Sequence, residues 1–218
     1  MSANPIRLIL VRHGNTFESG QTPTQVGART DLPLTDQGRI QAQCFARYLT
    51  SQQIQPHAIY AGALKRQIET AQILGSYLQA ENTIQLHQPA LTEIDYGSWE
   101  GLTSDEITEQ WPNEYKAWTA QSQWPAIFGS TRESHLRDIN TWLDELRSRY
   151  AAGETVVGVT SNGIIRFFYS FQDKEWQNLI HTHRMEDLKV KTGHFCELLL
   201  FKDCLQIKQW NKDPKDLI

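Results

Sequence analysis

The chain has 218 residues, 39% of them hydrophobic and 21% charged, which suits one large domain or one domain with a cap whose core needs no disulfide or metal staple. A net charge of −4 argues against nucleic acid or a membrane surface as partner, because both favour a basic face, yet it leaves room for a small anion in a locally positive pocket. The three cysteines (Cys44, Cys196, Cys204) lack metal-ligand spacing and read as reduced thiols of a cytoplasmic protein, and no apolar run approaches the roughly 18 residues of a membrane span.

Residues 6–11 are a run of apolar residues, broken only by Arg7, between Pro5 and the polar Arg12-His13-Gly14. So short a run predicts a strand covered on both faces, not a signal peptide. Residues 15–34 are rich in Gly, Thr, Gln and Pro without periodicity, a long loop of the kind that carries function. Thr35 is the expected N-cap of a helix reaching about residue 51, with Ile40, Cys44, Phe45, Tyr48 and Leu49 on one face. A second strand is expected at 57–61 and a second helix at 64–78. The stretch 91–99 is mixed, and a polar helical region follows Gly101-Leu102-Thr103.

Within 131–150 the residues Leu136, Ile139, Trp142, Leu143 and Leu146 recur at helical spacing, with Gly153 as terminator. Residues 155–160 predict a third strand, and a helix is expected after Asn162-Gly163. Residues 195–201 and 205–210 predict two strands joined at Lys202-Asp203. This alternation predicts an α/β three-layer sandwich, a mostly parallel sheet with helices on both faces. No repeat or linker divides 1–218, so one domain is expected. Residues 103–130 interrupt the alternation and are the expected small helical cap over the C-terminal edge of the sheet.

Three polar points fall at the C-terminal ends of expected strands: Arg12-His13-Gly14, the turn from Ala61 to Arg66, and Ser161-Asn162-Gly163. Open α/β sheets bind ligands at those ends, where helix N-termini favour anions. Singly, each point has a bland reading: Arg66 beside Lys65 suits a solvated helix face, and Asn-Gly is a common turn. Together they suggest a phosphate or carboxylate site.

The run Leu10-Val11-Arg12-His13-Gly14-Asn15-Thr16 resembles the R-H-G-x-T signature of the histidine phosphatase (phosphoglycerate mutase-like) superfamily, branch 1. Thr30-Asp31-Leu32-Pro33-Leu34-Thr35 with Gly38 resembles its T-D-x-P-L-T-x-x-G. Ile59-Tyr60 through Leu64-Lys65-Arg66 and Thr70-Ala71 resembles its second arginine motif. Leu91-Thr92-Glu93-Ile94-Asp95-Tyr96-Gly97 with Trp99-Glu100-Gly101-Leu102-Thr103 resembles its L-x-E-x-x-x-G-x-W-E-G-L-T, and Gly163-Ile164-Ile165-Arg166 and Trp210-Asn211 resemble its later segments. Five motifs in order carry far more weight than one short match.

The resemblance implies a phosphomonoester hydrolase acting on a small phosphorylated metabolite, of sugar phosphate or phosphoglycerate type, with no metal and no cofactor. It implies His13 as nucleophile, Arg12 and Arg66 as clamps on the phosphoryl oxygens, and Glu93 as proton donor and acceptor. Asn15 and Asn162 are implied as further phosphate ligands, and Ser19, Arg29 and Tyr96 as lining of a substrate pocket. Arg132 is a further cation with the reach for a second anionic group.

This sequence departs from the family at Asn162, where the family has a second histidine in an S-H-G-G-type turn. A neutral hydrogen bond contributes about 1 kcal/mol and a charged one about 1.5–3. At 1.4 kcal/mol per decade, losing that charge slows phosphoryl transfer by roughly tenfold to a hundredfold or more. A slow phosphatase, a phosphate binder without turnover and an engineered trap all fit this departure. Ser19 replaces a frequent asparagine, and Arg132-Glu133-Ser134 replaces a frequent G-E-S.

The short stretch from Glu93 to Asn162 holds no Arg-Arg pair, which favours a phosphatase over a mutase. A non-catalytic phospho-ligand binding module is the alternative, and a phosphoglycerate mutase the second. Trp99, Trp111, Trp118 and Trp124 are expected mainly as cap packing, with one or two left to wall a pocket. His181, His183 and His194 carry no motif and receive no role. The residues leave the oligomeric state open.

Overall fold

The computed structural model describes residues 4–182 and 188–218; His183 lies outside them. Six strands form one mixed sheet: β1 Ile6–Arg12, β2 Ala58–Ala61, β3 Ile84–Gln85, β4 Thr155–Thr160, β5 Phe195–Leu200 and β6 Leu205–Lys212. Their order is β3-β2-β4-β1-β5-β6. The first four run parallel to one another, and β5 lies antiparallel to both β1 and β6. Helices α1 Asp36–Ser51, α2 Lys65–Leu78, α3 Ser104–Gln110, α4 Pro112–Gln121, α5 Arg132–Arg149, α6 Asn162–Tyr169 and α7 Asp173–Thr182 complete the described chain.

The alternation of strand side chains decides which helices cover which face. Ile9, Val11, Ile59, Ala61, Val157 and Val159 face α1 and α2 in one buried cluster. Leu8, Leu10, Tyr60 and Val156 share the other cluster with Ile139, Trp142 and Leu146 of α5 and Ile164, Ile165 and Phe168 of α6. Continuous apolar runs such as Leu8–Val11 are thus buried on both sides, as such runs require.

Helix starts follow their caps. Thr35 accepts from the Gly38 N–H at 3.1 Å, a bond contributing about 1 kcal/mol. Thr103 and Glu106 form a reciprocal capping box on α3. Ile40 departs from its expected place: it is 47% exposed, because α1 turns Ala42, Phe45, Ala46 and Leu49 to the sheet.

The segment 103–130 forms α3, α4 and an irregular return, and its Ile107, Trp118 and Phe128 belong to the same buried cluster as α5 and α6. Trp118, Trp124, Phe128 and Tyr96 interlock edge to face, with ring centroids 5.1–6.2 Å apart. Such contacts add to the area they bury. No helix among the described residues is long and apolar enough to cross a membrane.

Candidate active site

The neighbouring parallel strands β2, β4 and β1 end side by side, and the reactive side chains gather beyond those ends. β1 ends in Arg12, with His13 next, and the His13 N–H is held by the Thr160 carbonyl at 3.0 Å. Arg66 lies on the first turn of α2, entered from β2. Asn162 and Gly163 open α6 directly after β4. Glu93 comes from the irregular stretch between short 3-10 turns at Pro89–Leu91 and Gly97–Trp99.

Two glycines explain why the first two motifs require their spacing. A Cβ on Gly14 would lie 2.2 Å from the Gly38 carbonyl oxygen, and one on Gly38 would lie 2.3 Å from that of Asn15. The chain after β1 therefore packs backbone on backbone against the start of α1, which only glycine permits.

A cavity of about 830 Å³ opens over Arg12, His13, Arg66, Glu93, Tyr96 and Asn162. The rest of its lining comes from the loop after Asn15, from Gln37, and from Lys189, Lys191 and Thr192. This volume falls in the range of small-molecule sites and far exceeds one phosphate.

His13 is 5% exposed, and its Nδ1 lies 2.8 Å from the Gly14 carbonyl oxygen. A carbonyl only accepts, so Nδ1 carries the proton and Nε2 presents its lone pair. Arg66 Nε donates to that Nε2 at 3.2 Å. Burial first, then the Arg66 and Arg12 charges, hold the imidazole pKa well below its ordinary value. His13 is accordingly neutral at neutral pH.

Arg66 is 1% exposed and also donates to the carbonyls of Thr30 (Nη1, 2.9 Å) and Gly27 (Nη2, 3.1 Å). Of its five N–H donors, one on each Nη stays available for a ligand. Arg12 donates through Nη1 to the Val190 carbonyl at 2.7 Å, while its buried Nε has no partner among the described residues. A buried donor without a partner costs free energy, and the guanidinium that carries it belongs to the cavity lining, where an anionic oxygen would be drawn. Burial lowers the pKa of both guanidiniums, opposed by the nearby Glu93.

Glu93 is 5% exposed; its Oε1 accepts from the Ile94 N–H at 2.9 Å and its Oε2 from the Gly163 N–H at 3.2 Å. Burial raises its pKa above the ordinary carboxylate value, against the pull of these N–H groups and both arginines. A Cβ on Gly163 would lie 2.4 Å from Glu93 Oε1 and 2.5 Å from the Tyr96 hydroxyl, so glycine is what lets α6 approach the carboxyl. The Tyr96 phenol, buried beside Glu93, is pushed well above its usual pKa. It remains protonated.

Asn162 Oδ1 accepts from the Val190 N–H at 2.8 Å, which leaves the amide nitrogen as the donor for an incoming oxygen. Asn15 donates its backbone N–H to Gln41 Oε1 at 2.7 Å and accepts the Thr192 hydroxyl at its Oδ1. Ser19 lines the cavity from the exposed loop.

Arg29, expected in the pocket, lies outside its lining. Its Nε pairs with Asp95 at 3.0 Å and its side chain is 59% exposed, because Glu100 and Arg66 hold the flanking backbone and Thr30. Arg132 lines a small separate pocket with Trp118, Trp124 and Arg166. None of Trp99, Trp111, Trp118 and Trp124 reaches the main cavity. Among the described residues, no group of three or more His, Cys, Asp or Glu side chains gathers as a metal site.

Motif reading missed Lys189, Lys191 and Thr192 on the cavity wall, and Gln41 and Gln67 behind it. Gln67 is fully buried and donates to the Leu91 carbonyl and Ser161 hydroxyl, tying α2, the Glu93 stretch and the start of α6 together. Its place directly after Arg66 was the one available signal.

The family model of the histidine phosphatase superfamily (branch 1) matches residues 8–213. The chain belongs to that superfamily. Phosphoserine phosphatase 1 of Hydrogenobacter thermophilus is 28% identical over 208 residues, covering 88% of this chain and 94% of the relative. Phosphoglycerate mutase-like protein 4 of Arabidopsis thaliana is 32% identical over 164 residues, covering 74% and 69%. Among solved structures, a mycobacterial glucosyl-3-phosphoglycerate phosphatase in complex with VO3 superposes with a TM-score of 0.77 at 23% identity, over 94% of this chain and 98% of that one. This last likeness is one of fold. The family and its named relatives make this histidine phosphatase homologue a relative of enzymes that act on small phosphorylated compounds.

Proposed function

We propose that the protein is a phosphomonoester hydrolase that cleaves a small phosphorylated metabolite through a phosphohistidine at His13, with no resident metal. The observation that carries this reading is the 2.8 Å contact between His13 Nδ1 and the Gly14 carbonyl oxygen, which puts the ring proton on Nδ1 and leaves the Nε2 lone pair for attack once substrate displaces the Arg66 bond.

As substrate enters, a phosphoryl oxygen takes over the Arg66 Nε–H now bonded to Nε2, and the Arg12 guanidinium on the cavity wall adds its charge and N–H groups. The Nε2 lone pair then forms a bond to phosphorus while the ester P–O bond breaks. The leaving oxygen takes its electron pair and a proton from Glu93, whose raised pKa keeps the carboxyl able to donate. In the second half, Glu93 accepts a proton from a water that attacks phosphorus. The P–N bond breaks, and its pair returns to Nε2.

Asn162 supplies one neutral donor in place of a second charged histidine. The site is therefore a working but weakened phosphate pocket. The phosphoserine and glucosyl-3-phosphoglycerate named for relatives mark the substrate class to try first: small phosphomonoesters with polar bodies.

The test is phosphate release from p-nitrophenyl phosphate and a panel of metabolite phosphates by the wild type, His13→Ala and Asn162→His. Activity lost in His13→Ala and raised in Asn162→His is expected. No turnover by either the wild type or Asn162→His overturns the reading and leaves a phosphate-binding module.

A further inference from the structure

Residues 188–193 return from the far end of the chain to the phosphate site and are fastened there by side chains of that site. The Val190 carbonyl accepts from Arg12 Nη1, and the Val190 N–H donates to Asn162 Oδ1. The Thr192 hydroxyl donates to Asn15 Oδ1, and the Gly193 N–H to the Arg12 and His13 carbonyls. Behind the segment, Asn211 Oδ1 accepts the Lys191 N–H at 2.9 Å, and Trp210 Nε1 donates to the Leu188 carbonyl at 3.2 Å. Leu188 and Val190 are buried, 2% and 0% exposed. Lys189 and Lys191, which alternate with them, are exposed and line the cavity.

We propose that Lys189 and Lys191 form a second anion subsite, so that the preferred substrate is a phosphomonoester carrying another anionic group, a carboxylate or a second phosphate. This rests on the phosphatase reading and narrows its substrate class. Arg12 and Arg66 already supply the charge that one phosphoryl group needs. Two more cations in the wall of a cavity of about 830 Å³ match a second negative group at the other end of the molecule. Among the described residues, Glu18 on the loop and Glu93 on the floor are the acidic groups of the same lining, and Glu93 is committed to proton transfer. Because the backbone between the lysines is held by the phosphate ligands themselves, the subsite is placed in fixed relation to the phosphoryl group. Asn162 thereby serves as a fastener of this segment as well as a donor.

The experiment compares kcat/KM for 3-phosphoglycerate against glycerol 3-phosphate, and for fructose 1,6-bisphosphate against fructose 6-phosphate, in the wild type and a Lys189→Ala/Lys191→Ala double variant. The same ratios are read as Kd by calorimetry in His13→Ala, which removes the proposed nucleophile. A wild-type preference of at least about tenfold for a doubly anionic member is expected, weakening with salt. That preference should collapse to within about twofold in the double variant and be restored by Lys189→Arg/Lys191→Arg. The pair showing the preference distinguishes carboxylate from phosphate. No preference in either pair, or one that survives the double variant, overturns the subsite. Absent turnover with lysine-dependent selective binding overturns the phosphatase reading alone, since the calorimetry needs no chemistry.

Discussion

The floor and the loop wall of the cavity hold their residues by different means. On the floor, His13, Arg66 and Glu93 are at most 5% exposed, and each bonds to backbone groups set by the surrounding fold. The loop after Asn15 is largely exposed, and much of its bonding is internal: Glu18 N–H to Gln21 Oε1, and Gln21 N–H back to the Glu18 carbonyl. Gln25 is its firm tie, bonded through its N–H to the Leu102 carbonyl and through its carbonyl to the Gly101 N–H. A buried, bonded floor is preorganised for one charge distribution, whereas an exposed loop can adapt to the body of a substrate. Chemistry should therefore be sensitive to the floor, and the loop should act on affinity.

The most severe way to test that contrast is His13→Ala, which removes the proposed attacking nitrogen. Turnover is expected to fall by about a thousandfold or more, with loss of a acid-labile phosphoryl label from the protein after rapid quench. A smaller fall would mean that the floor is not where the chemistry happens.

Next in size is Glu93→Gln, expected to lower kcat by about 10²–10⁴-fold for a substrate with a poor leaving group. The pH profile sharpens this. The proposed mechanism requires neutral His13, so kcat/KM is expected to rise as pH climbs through a value below the ordinary imidazole range. It also requires protonated Glu93, so kcat/KM is expected to fall as pH passes a value above the ordinary carboxylate range. Glu93→Gln should erase the alkaline limb and keep the acid limb.

Gly163→Ala tests how tightly the floor is packed. The added methyl meets Glu93 Oε1 and the Tyr96 hydroxyl, so a destabilisation of about 1–3 kcal/mol is expected in denaturant unfolding, with a lowered kcat. Ser19→Ala, on the loop, is expected to have the smallest effect: kcat unchanged and KM shifted by less than about threefold, since it removes an exposed hydroxyl. A large kcat effect there would break the division between floor and loop.

The sequence by itself determined the framework and the chemical inventory. Short apolar runs could be buried only as central strands, the capping residues Thr35 and Thr103 set helix starts, and Gly14, Gly38 and Gly163 sit where backbone or carboxyl comes too close for a Cβ. The strands and caps are local constraints and leave local marks, whereas the glycines answer to partners far along the chain. The strand β3 (Ile84–Gln85) left no mark, because two residues cannot show a period, while the polar helix α7 (Asp173–Thr182) left only a short one, with Trp176 and Leu179 three residues apart.

Tertiary structure alone decided which polar residues reach the cavity. Arg29 looked as suitable as any cation, yet Asp95 draws it away to the surface. Lys189 and Lys191 carry no motif, and they reach the wall because Arg12, Asn15, Asn162 and Asn211 hold the segment that carries them. The physical reason is range. A strand or a cap is governed mainly by neighbours in sequence or by a repeating period, whereas a tight glycine contact or a charge's role depends on partners from distant parts of the chain.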